Sequence, residues 1–353
     1  MKLRIIVFAA IAISAITFFS ACSSNRSASS ATSSKLSAVL PPIPGITAEN
    51  YPVVDGSTSN RHLIELLACR VVGLKGELKR SLGSHWAESS VVVVPIDTDP
   101  AKTEAYNKAT FARRTRGTHD AYLNLLNETA ASVRVFEFNP LNHPAGLIVV
   151  ARAPSDDELA EAKKKGETYD VRPVALDAFI FIVNTANPVK SLTLNQVRDI
   201  YTARTNNWKA IGGTDKEILA FIRERNSGSQ ELMEKLVMKG ETITAKEDRM
   251  LITMTAPVER VSKTTNAIAY SVFYYEEIMS PSPNNELVAI NGVMPTRETI
   301  ANRKYPLTAE VYVVTLKSLN PNSPAAKLRD WLLSDDGQRL VAESGYVPIR
   351  PVK

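Results

Sequence analysis

The stretch IRERNSGSQELMEKL, residues 222–236, carries the clearest structural signature in this chain. It continues the apolar run at residues 218–222, turns through Asn, Ser and Gly, and enters an amphipathic pattern, which predicts a strand, a polar turn and a helix in that order. Such a turn presents serine hydroxyls and unpaired backbone N–H groups at a helix N-terminus, where an anion is stabilised. Arg223 adds a charged donor that can hold an oxyanion with two hydrogen bonds.

Two further turns repeat this arrangement. VVDGSTSN, residues 53–60, leads from a short apolar stretch into a helical pattern, and RGTHD, residues 116–120, precedes another. His119 lies in the latter turn and is a further candidate to approach a ligand. The alternative is that each serine only caps its helix, since Ser is a preferred N-cap residue. Because three such hydroxyl-bearing helix starts occur, we nevertheless expect them to converge on one tetrahedral oxyanion.

Apolar runs and helical patterns alternate along the rest of the chain, which predicts an α/β sheet with helices on both faces. The predicted strands lie at residues 91–94, 133–138, 147–151, 178–183, 219–222, 267–271, 287–290 and 311–315. The predicted helices lie at residues 59–72, 121–127, 156–165, 194–202, 230–238, 258–263 and 324–333. Thr193 is predicted to cap its helix with Gln196 in a capping box. Cys69 and Trp208 are predicted to be buried, the first as a small hydrophobic residue and the second as the anchor of its loop.

The N-terminal segment predicts export to the cell envelope. Residues 1–21 combine a positive start with an apolar core that is short for a membrane span, which is the pattern of a signal peptide. Small residues directly before Cys22 resemble a bacterial lipobox, so we expect a lipid on Cys22 that anchors the chain in the membrane. Residues 22–45, rich in Ser, Ala and Pro, then predict an unstructured tether. A plain signal peptide with an incidental Cys22 is the alternative.

Charge and motif content argue against several classes of function. The net charge of the 353 residues is +5, and no stripe of basic and aromatic side chains marks a nucleic-acid surface. The sequence contains no G-x-x-x-x-G-K-[ST] loop and no G-x-S-x-G turn, and its 4 histidines lack metal-ligand spacing. We therefore expect no nucleic-acid partner, no enzyme activity, no cofactor and no metal. The excess positive charge favours small anions.

Several motifs, in order and spacing, resemble the phosphate-binding proteins of bacterial ABC importers. These motifs are LTLNQ at 192–196, NWK at 207–209, AIAY at 267–270, YPLT at 305–308 and GYVP at 345–348. The resemblance covers most of residues 50–350. It implies a type II periplasmic-binding-protein fold of two α/β lobes, each a mixed sheet flanked by helices. Lobe I would comprise residues 46–177 and 300–353, lobe II would comprise residues 178–299, and two crossovers would join them.

The resemblance also implies a site and a role. The implied ligand-binding residues are Gly56, Ser57, Thr58, Ser59, Thr118, Arg223, Ser227, Gly228 and Ser229. A monomer of this kind captures inorganic phosphate between its lobes and delivers it to a permease and an ATPase in the membrane. The alternatives are an envelope lipoprotein that senses another oxyanion without transport, an envelope hydrolase of phosphate esters, and a fold that binds nothing.

The chain departs from the family at two positions. In the best-studied branch of the family, carboxylates accept the proton that phosphate carries and sulfate lacks, and the matching positions here hold Arg152 and Arg225. Asp55 and Asp120 are the candidate substitutes. Without an acceptor, sulfate would be rejected less well, because such discrimination depends on leaving a buried group unpaired. A more negatively charged phosphorylated ligand is then an alternative to phosphate.

Overall fold

The computed structural model describes residues 43–81, 90–95, 99–111, 117–126, 145–244 and 247–352. The predicted signal peptide, the predicted lipidation site Cys22, nearly all of the predicted tether and the strand predicted at 133–138 lie outside these residues. Within the described part of the chain, no helix has the length and apolar character needed to cross a membrane.

Helices and strands alternate along the described residues. The strands are β1 Val54–Gly56, β2 Gly76–Ser81, β3 Ser90–Pro95, β4 Leu147–Val150, β5 Tyr169–Asn184, β6 Ser191–Leu192, β7 Leu219–Ala220, β8 Ile222–Arg223, β9 Met250–Leu251, β10 Ala267–Val272, β11 Asn285–Leu287, β12 Ala289–Ile290, β13 Thr308–Leu316 and β14 Val347–Pro348. The α-helices are α1 Arg61–Val71, α2 Pro100–Phe111, α3 Thr118–Leu125, α4 Asp156–Lys164, α5 Leu194–Tyr201, α6 Gly228–Leu232, α7 Ala256–Ser262, α8 Arg297–Ala301, α9 Pro324–Leu332 and α10 Asp335–Glu343. Single 3-10 turns lie at Thr58–Asn60, Trp208–Ile211 and Glu247–Arg249, and π-helical turns lie at Met233–Met238 and Tyr275–Met279.

The main sheet is mixed and has the strand order β1-β4-β13-β5-β10-β7, with β11 and β14 also paired to β5. β1 runs parallel to β4, and β10 runs parallel to β7, whereas β13 and β10 are both antiparallel to β5. Helices flank this sheet, so the mixed α/β fold that the sequence predicted is confirmed.

The long strand β5 belongs to both halves of the sheet. Its first part, Tyr169 to Ala178, pairs with β13, and its second part, Phe179 to Val183, pairs with β10. The residues from Val174 to Asn184 are all buried, as expected of a strand that is covered on both faces. The change of partner falls next to the boundary predicted for the first crossover, and the limits of the two lobes stay a prediction.

Local sequence explains where several elements begin and end. The Thr193 side chain accepts a hydrogen bond from the backbone N–H of Gln196, and Oε1 of Gln196 accepts one from the backbone N–H of Thr193, so the predicted capping box is confirmed. β3 ends at Pro95, which cannot donate to a ladder. Cys69 and Trp208 are 1% and 0% exposed, which confirms both predictions of burial. Sequence patterns missed α2, α8 and α10, which are short or carry few apolar residues.

Candidate functional site

Eight of the nine predicted binding residues line one cleft of about 580 Å³. The cleft lies between the polar turns that follow β1 and β8 and the turn that opens α3. The eight residues are Ser57, Thr58, Ser59, Thr118, Arg223, Ser227, Gly228 and Ser229. Residues 252–254, His119, Asp120, Glu224, Arg225 and Asn226 complete most of its wall. The three hydroxyl-bearing turns, which are distant in sequence, therefore do meet at one place.

Gly56 is the predicted binding residue that the structure does not bring to the cleft wall. It is the last residue of β1 and packs against β4, where a Cβ would lie 2.2 Å from the carbonyl oxygen of Val149. A side chain at this position would clash with the backbone of the neighbouring strand. Strand packing therefore explains the glycine at this position, and Gly56 does not line the cleft.

On the side of β1 and β4, two hydroxyl groups form a connected pair. Ser57 Oγ lies 2.6 Å from Thr118 Oγ1, and it also accepts a hydrogen bond of 3.0 Å from the backbone N–H of Ala151. Since one hydroxyl donates to the other, the second keeps its own proton for another acceptor. Both side chains are buried, and Thr58 beside them is partly exposed in the cleft.

On the opposite side, the turn between β8 and α6 has the geometry of a helix start. Asn226 has a φ of 66°, which only Gly and a few polar residues such as Asn adopt readily. Ser227 Oγ accepts a hydrogen bond of 3.2 Å from the backbone N–H of Gln230, so the capping interpretation of this serine holds. A Cβ on Gly228 would lie 2.7 Å from Thr118 Oγ1, so the two sides of the cleft approach closely here.

Arg223 lies at the base of this turn and is only 5% exposed. Its Nε donates 2.8 Å to the carbonyl oxygen of Leu251, its Nη2 donates 2.8 Å to that of Ile252, and its Nη1 lies 3.2 Å from Met254 Sδ. Among the described residues no carboxylate forms an ion pair with this guanidinium. Burial lowers the pKa of Arg223 below its usual value. A guanidinium has five N–H donors, so two remain for a ligand in the cleft.

The two arginines that depart from the family pattern lie in different surroundings. Arg152 is 5% exposed and does not line the cleft, because both of its terminal nitrogens bind Glu158 at 2.8 Å. Arg225 lines the cleft, and its side chain is 84% exposed and lies 3.5 Å from Asp157 on α4. Arg152 is thus neutralised outside the cleft wall, whereas Arg225 is part of that wall and pairs with an exposed carboxylate.

The two candidate proton acceptors also differ. Asp55 is 1% exposed and is not part of the cleft wall, and its oxygens accept hydrogen bonds from Gly56 N at 2.7 Å and Asn124 Nδ2 at 2.6 Å. Asp120 lines the cleft, as does Glu224, which sequence reasoning had not considered. A carboxylate acceptor for a ligand proton would therefore be Asp120 or Glu224.

His119 also lines the cleft, and its imidazole is tied to the protein behind it. Its Nδ1 lies 3.0 Å from Oε1 of Glu158, which is itself fully buried. The hydrogen bond that His119 donates to the Glu158 carboxylate raises the pKa of His119 above its usual value. Apart from such pairs, the described residues contain no group of three or more His, Cys, Asp or Glu side chains placed to hold a metal ion.

Comparisons with known proteins agree with this architecture. A family model described as a PBP superfamily domain matches residues 83–336. The phosphate-binding protein PstS of Staphylococcus epidermidis is 29% identical over 204 residues, which is 56% of this chain and 62% of that protein. PstS of Borreliella burgdorferi is 28% identical over 182 residues, 50% of this chain and 64% of its own length. The chain thus spans less than two thirds of the length of these relatives.

Solved structures show the same fold at low identity. A substrate-binding protein of Clostridium perfringens with bound phosphate has a TM-score of 0.56 at 21% identity, covering 84% of this chain and 98% of its own. An ABC-type phosphate transport receptor from Vibrio cholerae gives 0.55 at 21% identity, with 84% and 99% covered. Since the family match extends over most of the chain and the fold agrees with it, this chain belongs to the periplasmic-binding-protein (PBP) superfamily.

Proposed function

We propose that this chain captures inorganic phosphate in the cleft and delivers it to an ABC importer in the membrane. The observation that carries the proposal is Arg223, a buried guanidinium without a carboxylate partner among the described residues. Taking a cation out of water costs several kcal/mol unless an opposite charge compensates it. Since the protein supplies carbonyl oxygens and a sulfur there, an anionic ligand is the partner that completes the site.

The hydroxyl groups around Arg223 suit a tetrahedral oxyanion. Thr58 on one side of the cleft and Ser229 on the other contribute hydroxyl donors, and the Ser57–Thr118 pair contributes another. Charge-assisted hydrogen bonds contribute roughly 1.5–3 kcal/mol each. About six to eight such bonds, less the costs of desolvation and ordering, can reach the roughly −8 kcal/mol of micromolar binding.

The relatives support phosphate as the oxyanion. The two curated relatives carry the name phosphate-binding protein, and the Clostridium perfringens structure contains phosphate. Position in the cell envelope, an anchor on Cys22 and service to a permease and an ATPase belong to the same proposal. A protein of this kind binds and releases its ligand unchanged, so we expect no turnover of a phosphomonoester.

Calorimetric titration of the purified chain with phosphate tests the proposal, with sulfate as the competitor. We expect micromolar or tighter binding, and a loss of at least about 100-fold in Arg223→Ala, which removes two ligand hydrogen bonds and a charge. Thr58→Ala should lose less, about tenfold, since it removes one neutral donor. Arg249→Ala is the matched control, because Arg249 pairs with Glu217 at 2.6 Å and does not line the cleft. Normal phosphate binding by Arg223→Ala would refute the assigned site.

A second candidate function uses the same cleft without transport. An envelope lipoprotein that senses an oxyanion is favoured by Arg225, which adds an exposed positive charge to the cleft wall where the family has a carboxylate. A phosphate-uptake assay in cells that lack the chain separates the two. Loss of uptake supports the importer, and unchanged uptake with an altered response to phosphate supports the sensor.

A further inference from the structure

One residue of the cleft wall that is not among the proposed phosphate-binding residues is a histidine. His119 is the second residue of α3 and lies directly after the predicted ligand Thr118. Its side chain is 28% exposed, and its Nδ1 lies 3.0 Å from Oε1 of Glu158. Nε2 of His119 has no hydrogen-bond partner among the described residues. The ring is therefore fixed on one edge and open on the other.

Glu158 holds this ring as a fully satisfied carboxylate. Oε1 accepts from Arg152 Nη2 at 2.8 Å as well as from His119, and Oε2 accepts from Arg152 Nη1 and from the Ser155 backbone N–H, both at 2.8 Å. These contacts keep the pKa of Glu158 below its usual value although its burial acts in the opposite direction. Because Glu158 stays ionised, it accepts a hydrogen bond and cannot donate one.

This arrangement fixes the chemistry of the free ring nitrogen. Since Nδ1 carries the proton that Glu158 accepts, the neutral ring has a lone pair on Nε2, and the protonated ring has an N–H donor there. The neutral ring would accept a proton from a ligand, and the charged ring would donate to an oxyanion. The carboxylate behind the ring favours the charged form.

We propose that His119 determines which charge state of phosphate the site prefers. Its imidazolium, held by Glu158, donates Nε2–H to the bound oxyanion and favours doubly charged phosphate over singly charged phosphate. This inference rests on the proposed function. It also gives Arg152 a role, because Arg152 orients Glu158 and Glu158 orients His119. Arg152 thus acts on the ligand through two other side chains and does not touch it.

Several charged groups surround the ring and contribute to its titration. Glu158 from α4 and Asp120 from its own helix favour the charged ring, and Arg152 disfavours it. The charged residues of the same cleft wall that come from the β8–α6 turn are Arg223, Glu224 and Arg225. The carboxylate in direct contact outweighs the more distant cations, because it both hydrogen-bonds the ring and lies closest to it.

The test compares the phosphate affinity of the full chain and of His119→Gln between pH 5.5 and 9.5. Phosphate itself changes charge over this range, and the ratio of the two affinities removes the part of that change that both proteins share. A charged donor contributes about 1.4 kcal/mol more than a neutral one, so we expect the parent chain to bind about tenfold tighter at pH 5.5 and nearly equally at pH 9.5. A ratio that is constant with pH means a structural role only. A ratio that grows with pH means that the neutral ring accepts a proton, and either result overturns the proposal.

A second measurement follows the ring directly. Nuclear magnetic resonance of labelled histidine should show that saturating phosphate raises the pKa of His119, because linkage requires the ligand that prefers the charged ring to stabilise it. The internal control is His62, which is 1% exposed, lies 3.1 Å from Tyr274 Oη and does not line the cleft. An unchanged or lowered His119 pKa would overturn the inference.

Failure of this inference is distinguishable from failure of the proposed function. If the parent chain does not bind phosphate, or if Arg223→Ala binds it normally, the proposed function fails. If Arg223→Ala loses phosphate while the His119→Gln ratio stays flat with pH, the phosphate site stands and only the role of His119 is refuted.

Discussion

Arg152 and Arg223 are equally buried at 5% exposure, yet they lie in opposite electrostatic surroundings. Arg152 meets Glu158 through two hydrogen bonds of 2.8 Å, whereas Arg223 meets carbonyl oxygens and a sulfur. Arg152 stands at a position where the family resemblance expected a ligand-contacting residue, and Arg223 stands at the matching arginine position. The described residues supply a counter-ion for Arg152 and none for Arg223.

The comparison teaches that burial alone does not make an anion site. A buried arginine that is paired with a carboxylate stabilises the fold. A buried arginine without such a partner favours the binding of an anion, because the anion compensates its charge. Sequence could identify both arginines but not their partners.

The largest effect is expected on stability. Glu158→Gln leaves the Arg152 charge buried without a counter-ion and should lower the free energy of unfolding by about 3–5 kcal/mol. Arg223→Met removes a charge that has no counter-ion among the described residues. The carbonyl groups of Leu251 and Ile252 and the weakly accepting sulfur of Met254 lose a donor, so the loss should stay within about 1–3 kcal/mol. Urea denaturation without phosphate measures both. Equal losses would contradict the comparison.

Asp177 is a buried carboxyl group that forms no ion pair with a cation among the described residues, so its burial is uncompensated like that of Arg223. Burial raises its pKa from an ordinary 3.8 to about 7, and its Oδ1 accepts from the backbone N–H groups of Ala178 and Tyr274. The unfolded chain releases this proton near pH 4 and the folded chain near pH 7. Stability from this group is therefore complete at low pH and falls between these values by about 1.4 kcal/mol per pH unit.

The variant Asp177→Asn should lack this pH-dependent loss. Urea denaturation at pH 5, 6, 7 and 8 should show that the parent chain loses stability relative to the variant as the pH rises to about 7, with no further divergence above it. A difference that is constant over this range would mean that Asp177 does not titrate in the folded protein.

A smaller effect is expected where the two sides of the cleft approach. The Cβ of Gly228→Ala would lie 2.7 Å from Thr118 Oγ1, which is closer than such atoms pack. The cleft would have to open slightly, so we expect phosphate affinity to fall about tenfold while stability changes by less than about 1 kcal/mol. Calorimetry and urea denaturation of the same sample measure the two quantities. Unchanged affinity would mean that these sides move apart when phosphate binds.

The smallest effect is expected from Arg225→Gln. The Arg225 and Asp157 side chains are 84% and 57% exposed and lie 3.5 Å apart, and such pairs contribute no more than about 1 kcal/mol. Phosphate affinity should change less than about fivefold, and the change should shrink further when salt is raised, because exposed charges are screened. A loss of phosphate affinity as large as that of Arg223→Ala would mean that Arg225 contacts the phosphate directly.

Much of the fold could be predicted from local sequence. Strand and helix patterns gave β4, β10 and β13 and the helices α1, α4 and α5, because their apolar residues recur with the right period over several turns or residues. The resemblance gave the fold class, which the structure and the family match confirm. The short helix α8 and the polar helix α10 were missed, since neither presents a long apolar stripe.

The sequence by itself determined that three hydroxyl-bearing turns each open a helix, and that one of them follows an arginine. Those features depend on neighbours within a few residues, through caps, turns and side-chain period. Only the tertiary structure decided that Gly56 serves strand packing, that Arg152 binds Glu158, and that Glu158 also holds His119 across 39 residues. These contacts depend on how β1, β4 and α4 are stacked, and no local pattern encodes the distance between side chains on separate elements.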